Sequence, residues 1–327
     1  MKALTRLLVV LSSPLRMLDA RSKLIEQILD LPLMDDDIRL IREACGKTPI
    51  GTYYHWYLQK LVIAKSIRRL DRDRILSLIH DLDHTDYSDV QSVIDGSTGV
   101  LIAIPHHAHY ILSMTALAEY LGRNRKVNVF YGQPTTHSGN QVFDLLHKTL
   151  FSDPASGVNV IHSNRQGLSA SIKALKNGEI VFIMPDAFQN EDATLFMPFC
   201  GRLMNVMLGT AALARKTASC ILPVVSASCG NGLAFKTRFG LRLEPPEKAF
   251  TWSAEQARAS DYGVIRAVFG QFEQHMRNEL YLWQNVRSHF AKGAKTDLIG
   301  TKELNELLSS ISMSPIFRTP DLVLDLT

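Results

Sequence analysis

Five histidines and one aspartate stand where short apolar runs give way to polar turns. His106, His107 and His109 follow residues 100–104, His137 follows 127–131, His162 closes 158–161, and Asp186 follows 180–184. A histidine that accepts a proton and a carboxylate that orients it are the minimum set for general-base catalysis near neutral pH. Each residue also has a plainer use. An isolated aspartate after a strand is often a turn or cap residue, and His162 would simply close the sheet edge. His107 and His109 alternate as on a strand, which would put them on one face. No HExxH or further ligand accompanies them, so no metal site is expected. His55, His80 and His84 read as helix-surface residues.

The elements that must position these side chains follow from periodicity. Residues 18–95 carry apolar stripes at helical spacing, with a charged turn or solvated face at 68–74. After Gly96 the period changes. Apolar, β-branched runs at 100–104, 127–131, 158–161, 180–184 and 221–225 alternate with helical patterns at 110–121, 141–151, 166–176 and 205–216. Residues 233–243 suggest one or two further strands, and 254–280 a long helix. This alternation predicts an α/β fold, a mostly parallel central sheet flanked by helices. A helical N-terminal subdomain over 1–95, an α/β domain over 96–292 and a tail over 293–327 complete the expected organisation. In an open parallel sheet, ligands bind beyond the carboxyl ends of the strands, where all six residues above would gather.

Composition narrows the classes. The 327 residues are 46% hydrophobic, yet no apolar run approaches the roughly 20 residues of a membrane-spanning helix. A soluble globular protein is expected. A formal charge of +4 is too small to imply a nucleic-acid partner. Cys45, Cys200, Cys220 and Cys229 show no CxxC spacing, and no secretory signal opens the chain, which points to a reducing cytoplasm. The apolar stretch at 4–15, flanked by Lys2, Arg6 and Arg16, reads as a core helix or as a peripheral membrane-surface segment. No GxSxG elbow, Walker loop or GxGxxG follows a strand, so serine hydrolases, P-loop enzymes and nicotinamide enzymes lose their main support.

Four blocks carry a family resemblance: GSTGVLIAIPHHAHYILSMTALAEYLG, IKALKNGEIVFIMPDAFQNEDATLFMPFCGR, MLGTAALARKTASCILPVV and RNELYLWQNVRSHF. In this order they resemble the bacterial lipid A biosynthesis acyltransferases, the lauroyl/myristoyl branch of the lysophospholipid acyltransferase superfamily. The resemblance implies direct acyl transfer from an acyl-carrier-protein or coenzyme A thioester to a hydroxyl or amine acceptor, with no cofactor. It places His106 at the catalytic histidine. The acid that ends the family's HxxxxD/E motif is replaced by Ile111, which can neither orient an imidazole nor stabilise its charged form. Three outcomes stay open: Asp186 supplies the carboxylate, His109 or His107 acts as a second base or relay, or transfer is lost and a binding scaffold remains.

The resemblance also implies substrate contacts at Phe199, Gly201 and Arg202, the arginine suited to a phosphate or carboxylate. His107, Gln189, His137 and His162 join them as candidate substrate-binding residues. Trp283 and Arg287 are expected to lock the C-terminal helix. The family's typical members carry a spanning anchor and acylate a membrane lipid. The short 4–15 segment and the altered motif together suggest a diverged member acting on a smaller or carrier-bound acceptor in specialised metabolism. Its place would be the cytoplasm, with peripheral contact at the inner membrane face. A thioester hydrolase and a non-catalytic partner protein are the competing readings.

Overall fold

The inner strands are apolar on both faces because helices cover both. The computed structural model describes residues 56, 60, 63–132, 140–187, 194–200, 202–229, 234–244 and 252–285. Within them β1 (Val100–Ala103), β2 (Val127–Tyr131), β3 (Val158–His162), β4 (Ile180–Ile183), β7 (Cys220–Cys229) and β8 (Ala234–Phe239) form a six-stranded sheet in the order β3-β2-β4-β1-β7-β8. All pairs are parallel except the β7–β8 edge. β1 and β4 are buried along almost their whole length, whereas β3, at the sheet edge, is only partly covered. The α/β architecture expected from the alternating pattern is the observed one.

Side chains alternate across the sheet. Leu101, Ala103, Val181, Ile221 and Val225 share one core with α5 (Arg165–Lys176), α6 (Gly209–Thr217) and α7 (Ala254–Met276). Val100, Ile102, Ile180, Phe182 and Leu222 share the other with α1 (Arg72–Leu82), α3 (Tyr110–Gly122) and α4 (Asn140–Leu150). The short α2 (Gln91–Asp95) leads into β1. Ile75, Leu78, Ile79 and Leu82 of α1 therefore belong to the sheet's own core, which ties the described part of the N-terminal region to the α/β domain.

Right-handed crossovers explain which helix lies on which face. From β1 to β2 to β3 the chain moves one way across the sheet, placing α3 and α4 on one side. From β3 to β4 to β7 it moves back, placing α5 and α6 on the other. The connections leaving the neighbouring strands β1 and β4 thus depart to opposite faces. That divergence opens a crevice at their carboxyl ends, the topological switch point where open α/β sheets bind ligands.

Two segments differ from expectation. Residues 205–216 were expected as one helix. Instead β5 (Thr194–Phe199) and β6 (Arg202–Met207) form an antiparallel hairpin, and α6 begins only at Gly209. The hairpin wins because Met197 and Phe199 on one strand and Met204 and Val206 on the other alternate, burying one face in the core. The long helix ends at Met276 and gives way to a 3₁₀ segment, Arg277–Leu282. Its start is fixed by a capping box in which Ser253 and Gln256 exchange side-chain and backbone hydrogen bonds. Among the described residues no helix is long and apolar enough to cross a membrane.

Candidate active site

The loop after β1 is built to present one histidine. Ile104 extends the ladder by donating to the Ile183 carbonyl at 3.0 Å, and Pro105, lacking an N–H, ends it. The His107 N–H folds back to the Pro105 carbonyl at 2.7 Å, and Ala108 takes a left-handed φ of +48°. α3 then starts at Tyr110. This sharp reversal sends successive side chains to different places, which is why the strand-like pairing of His107 with His109 does not occur. The loop after β4 also turns tightly, with the Ala187 N–H donating to the Met184 carbonyl at 3.2 Å. Asp186 stands at this turn, across the switch-point crevice from His106.

The two meet. His106 Nδ1 lies 2.8 Å from Asp186 Oδ1, and the His106 backbone N–H donates to Oδ2 at 2.8 Å. Two more donors converge on Oδ2: Trp283 Nε1–H at 2.8 Å and Asn285 Nδ2 at 3.2 Å. Asn285 Nδ2 also donates to the Asp186 carbonyl at 3.0 Å and lies 3.3 Å from His106 Nδ1. The Asp186 side chain is sealed from solvent, while the His106 side chain keeps 17% of its surface accessible. Burial alone would push the Asp186 carboxyl up. The adjacent His106 charge and the hydrogen bonds from His106 and Trp283 outweigh it and hold the carboxyl at about 2. Asp186 is therefore a carboxylate near neutral pH and can only accept. His106 must carry its proton on Nδ1, which leaves Nε2 as the basic nitrogen. Tyr110 braces the imidazole edge-on, ring centroids 4.8 Å apart, and burial and the Asp186 charge push its phenol well above the ordinary range.

Ile111, five residues after His106, packs against the hydrophobic core shared with the sheet. Position 111, which the resemblance aligns with the acid of HxxxxD/E, is apolar and is spent on packing. The carboxylate beside His106 arrives from another strand.

The remaining candidates scatter. His107 is fully buried, its ring nitrogens 2.7 Å from the Ser226 carbonyl and 2.9 Å from the Glu279 carbonyl. Its ring lies between β7 and the 3₁₀ segment, and burial lowers its pKa. His109 is 5% exposed and stands at the N-cap of α3, its ring centroid 6.2 Å from that of Trp56. His162 closes β3, two strands from β4, against Tyr131 at 5.4 Å between ring centroids. Phe199, expected to contact substrate, is 1% exposed in the core and packs edge-on against Trp283 (5.4 Å) and Phe269 (5.7 Å). It therefore supports the site from beneath. His137, Gln189, Gly201 and Arg287 lie outside the described residues, as does the side chain of Arg202. Among the described residues no group of three or more His, Cys, Asp or Glu is arranged to hold a metal ion.

Reading the sequence alone missed Asn285 and the direct contact of Trp283 with the site. A signal was present. In Leu280–Trp283 an indole N–H is carried into an apolar run, where a buried donor must find an acceptor.

A histidine–carboxylate pair at the switch point of a mostly parallel sheet defines an α/β protein equipped for general-base chemistry. A family model described as bacterial lipid A biosynthesis acyltransferase matches residues 52–285, most of the chain and a span that contains every residue of the pair and its supports. The chain belongs to that family of acyltransferases. No curated protein matches it.

Proposed function

We propose that the protein transfers an acyl group from an acyl-carrier-protein or coenzyme A thioester to a hydroxyl or amine acceptor, with His106 as general base and Asp186 as its carboxylate partner. The observation that carries this reading is the 2.8 Å contact between His106 Nδ1 and a fully buried Asp186 carboxylate, with the imidazole itself open to the crevice.

That geometry supports the following reaction. His106 Nε2 takes the proton from the acceptor O–H or N–H as the heteroatom attacks the thioester carbonyl. Asp186 stabilises the imidazolium that forms, without taking its proton. The tetrahedral intermediate collapses, the C–S bond breaks, and the imidazolium returns its proton to the departing thiolate. The products are an ester or amide and a free thiol. An acidic carrier protein would be favoured by the chain's slight positive charge. Residues 4–15, which lie outside the described residues, would serve as a core helix or as a peripheral contact at the inner membrane face.

The test is consumption of a long-chain acyl-carrier-protein thioester with hydroxyl and amine acceptors, by wild type and by His106→Ala. Acylated product from the wild type and none from a folded His106→Ala variant is the expected result. Undiminished product from the variant overturns the assignment. Donor consumption with only free fatty acid released would mark a thioester hydrolase instead.

A further inference from the structure

A carboxylate that receives several donors is oriented by all of them, and two of those on Asp186 come from the segment that follows α7. The segment after α7 runs antiparallel beside the catalytic loop. The Gln284 N–H donates to the His106 carbonyl at 3.0 Å, the Ala108 N–H donates to the Leu282 carbonyl at 3.1 Å, and His107 and Trp283 form an antiparallel bridge. The loop that presents His106 is thus held by its own main chain against this strap. The His107 ring, on the Glu279 carbonyl, fastens the strap's near end.

Building on the assignment of His106 and Asp186, we propose that residues 282–285 are a working part of the active site. Trp283 and Asn285 are positioning residues that fix the Asp186 carboxylate and tune the basicity of His106. Trp283 is 2% exposed, and its indole N–H gives the carboxylate a donor as short as the one from His106. The indole ring is itself braced by Phe199, so the donor has little freedom to move. Asn285 holds both the Asp186 carboxylate and its own main-chain carbonyl, fixing the turn as well as the side chain.

The sign of the tuning follows from competition for electron density. Donors on Oδ2 stabilise the carboxylate and weaken its pull on the His106 Nδ1 proton. Removing one raises the proton affinity of Asp186 and strengthens that pull, which raises the basicity of His106. In an enzyme without the Trp283 donor, the acid limb of the rate profile moves to higher pH. A residue that merely packs would not move that limb.

The experiment measures kcat, KM and the pH profile of kcat for Trp283→Phe and Asn285→Ala beside wild type and His106→Ala. Phenylalanine keeps an aromatic ring against Phe199 and removes only the donor. Asn285 is partly exposed, so its truncation keeps the proposal testable should the Trp283 variant fold poorly. The expected result is a fall in kcat of about tenfold or more for Trp283→Phe, and of severalfold for Asn285→Ala, with KM little changed. In both, the acid limb moves to higher pH. Loss of activity in His106→Ala with wild-type kcat and an unmoved limb in both strap variants overturns the proposal and leaves the catalytic pair standing. Full activity in His106→Ala removes the pair itself, and the proposal with it.

Discussion

Replacing Asp186 by asparagine changes one atom and reverses the logic of the site. The carboxylate receives the His106 ring N–H on Oδ1, and the His106 backbone, Trp283 and Asn285 donors on Oδ2. An amide has one acceptor oxygen and one donor nitrogen. With its NH₂ at the Oδ2 position it faces three donors. With its NH₂ at the Oδ1 position it faces only one ring nitrogen, so that orientation costs less. There it donates to His106 Nδ1, which must give up its proton and move it to Nε2. The nitrogen that should accept the acceptor's proton is then already protonated. Loss of a tautomer-fixing carboxylate in triad-type sites costs about 10⁴ in rate, and a fall of about 10³–10⁴ in kcat is expected here.

Stability supplies a second number. Asp186 is held at about 2 against an ordinary 3.8, and linkage converts that difference to about 2 kcal/mol. Because the folded-state value is the lower one, this contribution is fully present above pH 3.8 and is lost as pH falls through about 2. Urea unfolding at pH 7 should therefore show Asp186→Asn destabilised by about 2 kcal/mol. Transfer within tenfold of wild type, in a variant still folded at pH 7, would refute the reasoning.

Restoring an acid at position 111 should not help. Ile111→Asp places a carboxylate against the core shared with the sheet and should cost about 2–4 kcal/mol in urea unfolding. Combined with Asp186→Asn it should leave transfer as low as in the single variant. His107 gives a pH signature: burial lowers its pKa from 6.5, so the unfolded state binds the extra proton and stability falls as pH drops below about 6.5. Unfolding at pH 5 and 7.5 should show that slope in wild type and a shallower one in His107→Gln. Arg215, paired in parallel with Asp261 at 2.8 and 2.9 Å, should lose about 3 kcal/mol on Arg215→Ala, while Arg215→Ala with Asp261→Ala loses less than the two singles summed.

The sheet was legible because strands buried on both faces have no choice but to be apolar and β-branched, as in β1 and β4. The hairpin of β5 and β6 was hidden because the helix-forming sequence of α6 follows it directly. In a short window the alternation of Met204 and Val206 reads equally well as a helix start. His106 was legible from the resemblance, and Asp186 from the rule that strand ends gather ligands. Their convergence was one of three outcomes left open, and the sequence could not choose among them, since residues 80 positions apart meet only through the β1–β4 pairing. Trp283 and Asn285 were less legible still. Their role depends on the path of the chain after α7, and a 3₁₀ segment with one non-helical residue, Glu279, leaves no periodic trace in sequence.

The central claim is that Asp186 holds His106 in the tautomer that frees Nε2, and nitrogen-15 NMR of the imidazole reads this without knowing the acceptor. At a pH where the ring is neutral, the wild-type spectrum should show Nδ1 protonated and Nε2 bare, and Asp186→Asn should exchange the two. Protonation at Nε2 in the wild type, or a spectrum unchanged by Asp186→Asn, would contradict the account.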